Sequence, residues 1–197
     1  MEWINSLRLK TRLLGGFLIV AIIAGVIGTV GIWNLKKLDT ADTLLYEKMT
    51  VPIEQLGIIA DSFQRMRANL LEMTIAENAA GIKDMEKRIG ERRKEITDLA
   101  SKVEPTMLTD EGRKAFSEFK SSFKSFDTSV TKYEALMDAG NKAEAIVLWK
   151  GEMEVERKAF QASIDALLAS KVKNAKQTSE EIRLRPMAQL RSCLFAW

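Results

Sequence analysis

The chain has 197 residues and a formal net charge of +3, from 30 basic and 27 acidic side chains. It contains no histidine and one cysteine, Cys193. These counts exclude serine–histidine and cysteine–histidine catalysis and an intrachain disulfide, and they argue against a zinc or haem site. We therefore expect no enzyme activity and no cofactor. The excess basic charge lies in residues 1–12 and 183–197, and the near-neutral body between them argues against nucleic-acid binding.

An uncharged apolar run occupies residues 13–33. A helix of this length spans roughly 31 Å, about the thickness of the hydrocarbon core of a bilayer. The alternative is a cleaved secretory signal, whose apolar region is normally about 7–15 residues long and ends at a small-residue cleavage site. This run is longer and continues directly into a helical pattern, so it predicts an uncleaved transmembrane helix.

The charges flanking this run predict its orientation. Three basic residues and one acidic residue precede it, namely Arg8, Lys10, Arg12 and Glu2. Two lysines and two aspartates follow it, namely Lys36, Lys37, Asp39 and Asp42. The positive-inside rule therefore predicts that residues 1–12 are cytoplasmic. The part of the chain after residue 33 would then lie in the periplasm or extracellular space, with Trp3 and Trp33 as anchors at the two membrane interfaces.

Four segments after this run carry apolar residues at alternating intervals of three and four, with one position missed in the second segment and an interruption at Glu156 in the fourth. The positions are Leu56, Ile59, Phe63, Met66, Leu70 and Met73; Ile82, Met85, Ile89, Ile96, Leu99 and Val103; Phe116, Phe119, Phe123, Phe126, Val130 and Tyr133; and Ile146, Trp149, Met153, Phe160 and Leu167. This repeat places each set along one helical stripe. Because the loops between the segments are short, the pattern predicts an all-α, antiparallel up-down-up-down four-helix bundle preceded by one transmembrane helix.

Turn and capping residues separate the four segments. The sequence predicts a first helix over 34–78, in which Pro52 either introduces a kink or marks a junction. Thr109 or Asp110 can cap the third helix, and Gly140 can end it in a left-handed conformation. The fourth helix is expected to run unbroken over 142–182.

The last residues differ from the rest. Residues 183–197 contain no acid, include Pro186 and lose the heptad pattern. We expect a truncated or frame-shifted end, and the alternative is a small basic segment at the membrane surface. The expected organisation is therefore 1–12, a basic cytoplasmic N-terminus; 13–33, the span; 34–182, the bundle; and 183–197, an atypical tail.

The ordered set of features resembles the N-terminal sensor half of methyl-accepting chemotaxis proteins. The residues that carry the resemblance are Leu7–Leu13 and Leu35–Leu38 on either side of the span, Val51–Ile53, Arg67–Leu71 and Met137–Ala145. The resemblance implies a homodimer that binds a small extracellular ligand, with amino acids and other carboxylates as common ligands of the family. It also implies transmembrane signal transduction in chemotaxis, but the second span, HAMP domain and cytoplasmic signalling hairpin of the family have no counterpart here.

The family's ligand residues transfer to this chain in part. Amino-acid-sensing members carry three arginines on helix one, spaced by five and then four. Arg67 matches the first, whereas the second and third positions are Glu72 and Ala76. Arg67 is therefore the one ligand-binding candidate, since a guanidinium can hold a carboxylate in two-point fashion. The alternative is an arginine that packs its stem on the core and pairs with a glutamate, and Arg65, about 200° away round the helix, is expected to be a solvated charge.

Other conspicuous residues have simpler interpretations. The phenylalanine stripe and Trp149 are expected to form core. Glu156 interrupts the fourth stripe, where it either pairs with a lysine or forms a polar layer that sets helix register. The alternative function is a single-pass, membrane-anchored coiled-coil adaptor without a small-molecule ligand, which would need no ligand cavity at a dimer interface.

Overall fold

The computed structural model describes residues 9–194 of the chain, and within that range all regular structure is helical. The elements are α1 (Leu9–Leu45), a π-helix (Tyr46–Thr50), α2 (Val51–Ile75), α3 (Ala79–Val103), a 3-10 helix (Glu104–Thr106), α4 (Asp110–Asp138), α5 (Lys142–Lys150) and α6 (Glu152–Leu194). The all-α prediction is confirmed for this part of the chain.

The chain divides into two compact units, Met1–Leu44 and Leu45–Trp197. Nearly all of α1 lies in the first unit, which includes the one helix of the described residues that is long and apolar enough to cross a membrane. The residues of its most apolar window are not buried. Lys37 Nζ lies 4.0 Å from the centre of the Trp33 ring, so this tryptophan pairs with a cation at the end of the apolar run. Trp3 lies outside the described residues.

The second unit contains the helical bundle. Helix α2 packs mainly against α3, α4 packs mainly against α6, and α2 also lies beside α6. Since α5 and α6 together take the place of the predicted fourth helix, this arrangement agrees with a four-helix bundle. The boundary at residue 45 falls later than the predicted start of the bundle at residue 34.

The core is built from the predicted stripes. All six stripe residues of α2 are fully buried, as are Phe126, Val130 and Tyr133 of α4. Phe160 of α6 lies at the centre of the core, with its ring 4.8 Å from that of Phe63 and 5.2 Å from that of Phe119. Aromatic pairs at such distances add to the stabilisation that comes from burial alone.

Side-chain and backbone caps end the helices at the predicted breaks. Asn78 and Thr109 accept hydrogen bonds from the backbone N–H groups of Gly81 (2.9 Å) and Gly112 (3.1 Å), so Thr109 rather than Asp110 is the N-cap of α4. Gly140 has a φ of 75°. The bonds from Gly140 N to Met137 O and from Asn141 N to Leu136 O form the Schellman motif that ends α4.

The predicted first helix differs from the structure in two respects. It contains the π-helical segment just before Pro52, so the proline marks a junction, one of the two outcomes predicted for it. A proline has no N–H to offer to the preceding turn, and a widened turn is one way to absorb that loss. The helix also ends at Ile75 rather than residue 78, because Ala76 leaves the helical conformation.

The predicted fourth helix over 142–182 starts at the predicted residue, but it is interrupted in its interior and ends later than predicted. Gly151, with φ −102° and ψ −100°, separates α5 from α6. A Cβ at this position would lie 3.2 Å from the carbonyl oxygen of Val147, so the close approach favours glycine. Helix α6 then continues past residue 182 to Leu194.

The fourth stripe also differs in register. Ile146 and Trp149 are half-buried, whereas Ala145 beside them is fully buried. Further along α6, Ile164 and Lys171 are buried, although neither was included in the predicted stripe. The short α5 therefore turns a different side to the core from the one that an unbroken helix would present.

Candidate ligand site

Arg67 lies on α2, between the buried stripe and the surface. It is half-buried, directly after the fully buried Met66. Its guanidinium lies 5.8 Å from the centre of the Phe63 ring, and Nη1 donates to Oε1 of Gln64. The side chain is thus held against the helix surface with its stem on the core, as the alternative interpretation expects.

A second arginine approaches Arg67 from the neighbouring helix. Arg157 of α6 is 18% exposed and pairs with Glu154 on the preceding turn. The pKa of Arg67 is lowered first by burial and then by the positive charge of Arg157, while Glu154 raises it. Two guanidinium groups on adjacent helices therefore repel each other, with one carboxylate partly compensating for them.

Both arginines keep an unused donor. The Nε atoms of Arg67 and Arg157 are buried, and neither has a hydrogen-bond acceptor within the described part of the chain. A buried N–H without an acceptor costs about 1–3 kcal/mol. An anion that separated the two guanidiniums could accept from them and reduce their repulsion, because guanidinium groups bind carboxylates through two parallel hydrogen bonds.

The two helices are also joined by a neutral contact at this level. Gln64 Nε2 donates to Gln161 Oε1 at 2.7 Å. Gln64 therefore contacts both Arg67 and α6, so movement of Arg67 would disturb the contact between the helices. The Arg67 pair comprises Arg67 and Arg157, and its immediate surroundings are Gln64, Glu154 and Gln161.

The other positions of the predicted pattern lie apart from this pair. Arg65 forms an exposed ion pair with Asp61 at 2.7 Å, and its prediction as a solvated charge is confirmed. Glu72 is exposed, and Ala76 is the C-cap of α2. The structure thus brings neither of these two positions together with Arg67.

An exposed stripe runs along α2 beside Arg67, on the side away from the core. Its members, called the outer stripe below, are Gln64, Ala68, Leu71 and Ile75. They are spaced by four, three and four residues, which aligns them on one face of the helix. Leu71 is 48% exposed and Ile75 is 75% exposed, so this face ends in large apolar side chains that contact water.

Two surface grooves lie away from these residues. One, of about 690 Å³, is formed by α4, α5 and the start of α6, and the other, of about 460 Å³, lies between α2 and α3. Arg67 lines neither groove.

Two further predicted residues have different surroundings. Glu156 is half-buried, and its Oε2 atom has no hydrogen-bond partner. Within the described residues it forms no ion pair with a lysine, so the predicted Glu156–lysine pair is not found. Trp149 is half-buried, with its ring 6.2 Å from that of Tyr133. It therefore packs beside the core rather than within it.

Comparison with known families supplies the context for this geometry. A family model matches residues 6–183 of the chain. The family is the four-helix-bundle sensory module for signal transduction, found in methyl-accepting chemotaxis proteins. The chain belongs to this family. A search of curated proteins finds no match for this sensory module. The matched residues include the long apolar helix, so family membership and composition both point to a membrane-anchored module.

Sequence reasoning missed Arg157 in this sensory module. It lies one residue after Glu156, at the edge of the predicted stripe, just as Arg67 lies one residue after Met66. Two arginines that each follow a stripe position on the first and fourth helices could have been noticed as a pair. The register change at Gly151 leaves this part of α6 unaffected, so the signal was available from the spacing alone.

Proposed function

We propose that this sensory module is the sensor region of a bacterial chemoreceptor that binds a small anionic ligand, with a carboxylate as the preferred class. The observation that supports this proposal is the Arg67 pair, with its two like charges and two unused buried donors on adjacent helices. The proposed action is non-covalent binding without a catalysed reaction, so we propose that the protein is not an enzyme. The bundle would lie in the periplasm or extracellular space.

The proposed response follows from where the two arginines lie. Arg67 is on α2 and Arg157 is on α6, so an anion held by both would favour a state in which the two helices are closer at this level. The ligand can shift the equilibrium only by the difference between its affinities for the two states. A relative displacement of α2 and α6 is therefore the proposed signal.

The outer stripe supports a homodimer as the proposed assembly. Leu71 lies one turn and Ile75 two turns after Arg67 on α2, and both expose apolar surface. Exposed apolar side chains in an ordered row are typical of a surface that packs against a partner. If two copies meet there, the Arg67 pair lies at the edge of the interface, where a ligand could contact both subunits.

Titration calorimetry with the full chain in detergent tests the ligand proposal. A panel of small dicarboxylates and amino acids would first be screened for thermal stabilisation, and one binder would then be titrated into each variant. Arg67→Ala and Arg157→Ala should each weaken binding roughly ten- to a hundred-fold, the effect expected from loss of a charge-assisted hydrogen bond. Helix content should be unchanged.

Arg65→Ala is the matched control, since Arg65 lies on the same helix and pairs only with the exposed Asp61 in the recorded contacts. It should bind with wild-type affinity. Equal losses in Arg65→Ala and Arg67→Ala, or no loss in Arg67→Ala, would assign Arg67 a structural role only.

The adaptor function remains the second candidate. The exposed outer stripe favours it as well, because a partner protein could cover Leu71 and Ile75 without any small molecule. The adaptor function would be favoured if no compound of the panel raised the unfolding temperature and if a partner protein protected the outer stripe from solvent.

A further inference from the structure

Lys171 occupies a core position of α6. It follows Phe160, Ile164 and Leu167 at heptad spacing, and it is only 2% exposed. Its Nζ donates to the backbone carbonyl of Lys48 at 3.1 Å and to the backbone carbonyl of Thr106. A charged side chain thus replaces an apolar one in the stripe and joins three segments of the bundle.

The two carbonyls that Lys171 contacts lack their usual helical donors. The carbonyl of Lys48 lies four residues before Pro52, which has no N–H to donate to it. Thr106 is the last residue of the 3-10 helix, where terminal carbonyls have no partner within the helix. Lys171 therefore satisfies one acceptor created by the proline junction and one created by the end of the α3 segment.

The charged groups near Lys171 do not neutralise it. Lys48, from the π-helix, is the one charged group with an effect on its pKa, and the effect is unfavourable to the ammonium. Glu104 of the 3-10 helix pairs with Lys120 of α4, and Glu111 of α4 pairs with Lys173 of α6. Among the described residues no carboxylate forms an ion pair with Lys171, and burial followed by Lys48 lowers its pKa to about 8.

We propose that Lys171 is a cross-brace that holds α6 to the Pro52 junction and to the α3–α4 connection. When its side chain withdraws from the two carbonyls, the part of α6 around Lys171 becomes free to move relative to α2. The proposal deepens the proposed function, because it restrains α6 against the π-helix that leads directly into α2, and α2 and α6 are the two helices that the Arg67 pair would displace. It makes no use of a ligand, since the brace is formed in the free protein.

The stability of the braced state depends on pH, and the pKa of Lys171 gives the direction of that dependence. When Lys171 is withdrawn into water, it regains the ordinary pKa of 10.5, whereas in its pocket the pKa is about 8. The withdrawn state therefore binds the proton more tightly. As the pH rises from about 8 toward 10.5, the braced state gains stability relative to the withdrawn state, and below about 8 the balance no longer changes.

Hydrogen-exchange mass spectrometry on the full chain in detergent tests the brace. The peptides of interest cover residues 46–52 and 103–108, and rates are corrected for the intrinsic effect of pH on amide exchange. In the wild type, protection of both peptides should rise between pH 8 and 10. Lys171→Met should exchange roughly ten-fold faster or more at pH 8 in both peptides and should lose the pH-dependent rise.

Lys173→Met is the matched control, since Lys173 is an exposed lysine of the same helix that pairs with Glu111. It should behave as wild type. Equal protection in Lys171→Met and Lys173→Met, or the same pH-dependent rise in Lys171→Met and wild type, would overturn the proposal.

A double variant separates the brace from general loss of packing. Pro52→Ala restores an N–H that can donate to the Lys48 carbonyl, so Pro52→Ala/Lys171→Met should regain protection in 46–52 but not in 103–108. Recovery in both peptides, or in neither, would contradict the two-carbonyl account. Where Lys171→Met alone fails to fold, Lys171→Gln replaces it, with the same expected loss of the pH-dependent rise. Failure to find any ligand would count against the proposed function and would leave these outcomes unchanged.

Discussion

The bundle buries cations in two contrasting ways. Lys171 has two backbone carbonyls as acceptors, whereas the Nε atoms of Arg67 and Arg157 have none in the described structure. Because a polar group removed from water costs free energy unless it is hydrogen-bonded, the two carbonyls offset part of the cost of burying Lys171, and the cost at the arginines is expected to be relieved by an added acceptor. This difference suits Lys171 to a structural role and the Arg67 pair to the binding of a ligand.

Glu156 offers a test of this reasoning at a single residue. One of its carboxylate oxygens is buried without a partner, in a position where the heptad expects an apolar side chain. Glu156→Met should therefore stabilise the bundle by about 1 kcal/mol, because it removes an unsatisfied acceptor and adds apolar surface. Denaturant unfolding of the full chain in detergent, followed by circular dichroism, measures the change.

Glu118→Met on the exposed surface of α4 is the control, and its free energy of unfolding should change by less than about 0.5 kcal/mol. Destabilisation by Glu156→Met would mean that the carboxylate has an interaction in solution that its surroundings here do not provide.

At the scale of helices, the stripes of α2 and α4 could be predicted from sequence. The break at Gly151 could not, and Pro52 could be identified only as either a kink or a junction. The repeat of three and four identifies the buried side of α2 and α4, since it depends only on helix geometry. The π-helical turn before Pro52 and the break at Gly151 depend on backbone geometry that no periodicity reports. A proline or glycine in a long pattern can be tolerated, introduce a kink or separate two helices, and tertiary packing decides among these outcomes.

The end of α4 gives a prediction at this scale. Gly140 has a φ of 75°, where a residue with a Cβ is strained, so Gly140→Ala should destabilise the bundle by about 1 kcal/mol. Gly90 is a matched glycine in the interior of α3, where an added Cβ would meet nothing within 4 Å. Gly90→Ala should instead stabilise by about 0.5–1 kcal/mol, since alanine is the better helix former.

Thermal unfolding of the two variants in parallel measures this difference of sign. The same direction of change in both would show that the left-handed C-cap contributes little to the stability of α4.

For the whole molecule, the fold and family were accessible from the sequence, but the site was accessible only in part. Arg67 was identified from its place in a family pattern, and that role stays a prediction. Arg157 lies 90 residues away in the chain and comes near Arg67 only because α2 and α6 are neighbours in the bundle. The single chain leaves the outer stripe exposed, so a site that the proposed dimer would share is incomplete in one chain.

Disulfide cross-linking in native membranes tests whether the outer stripe joins two copies. In a two-fold symmetric dimer, a residue near the axis lies close to the same residue of the partner. Cysteines placed at Leu71 or Ile75, in a chain whose own Cys193 is changed to serine, should therefore form covalent dimers under mild oxidation. Membrane anchoring favours the reaction, because it raises the effective concentration of one bundle around another.

Arg65→Cys is the control on the same helix. Arg65 is exposed like Leu71 but lies about 120° away from it round α2, so it should face away from the partner and cross-link poorly. Covalent dimer from Leu71→Cys and Ile75→Cys, but little from Arg65→Cys, would place the Arg67 pair beside the dimer interface, where each subunit could contribute to ligand binding. Equal cross-linking at all three positions would indicate random collision, and no cross-linking at any of them would leave the outer stripe to a different partner, as the adaptor function requires.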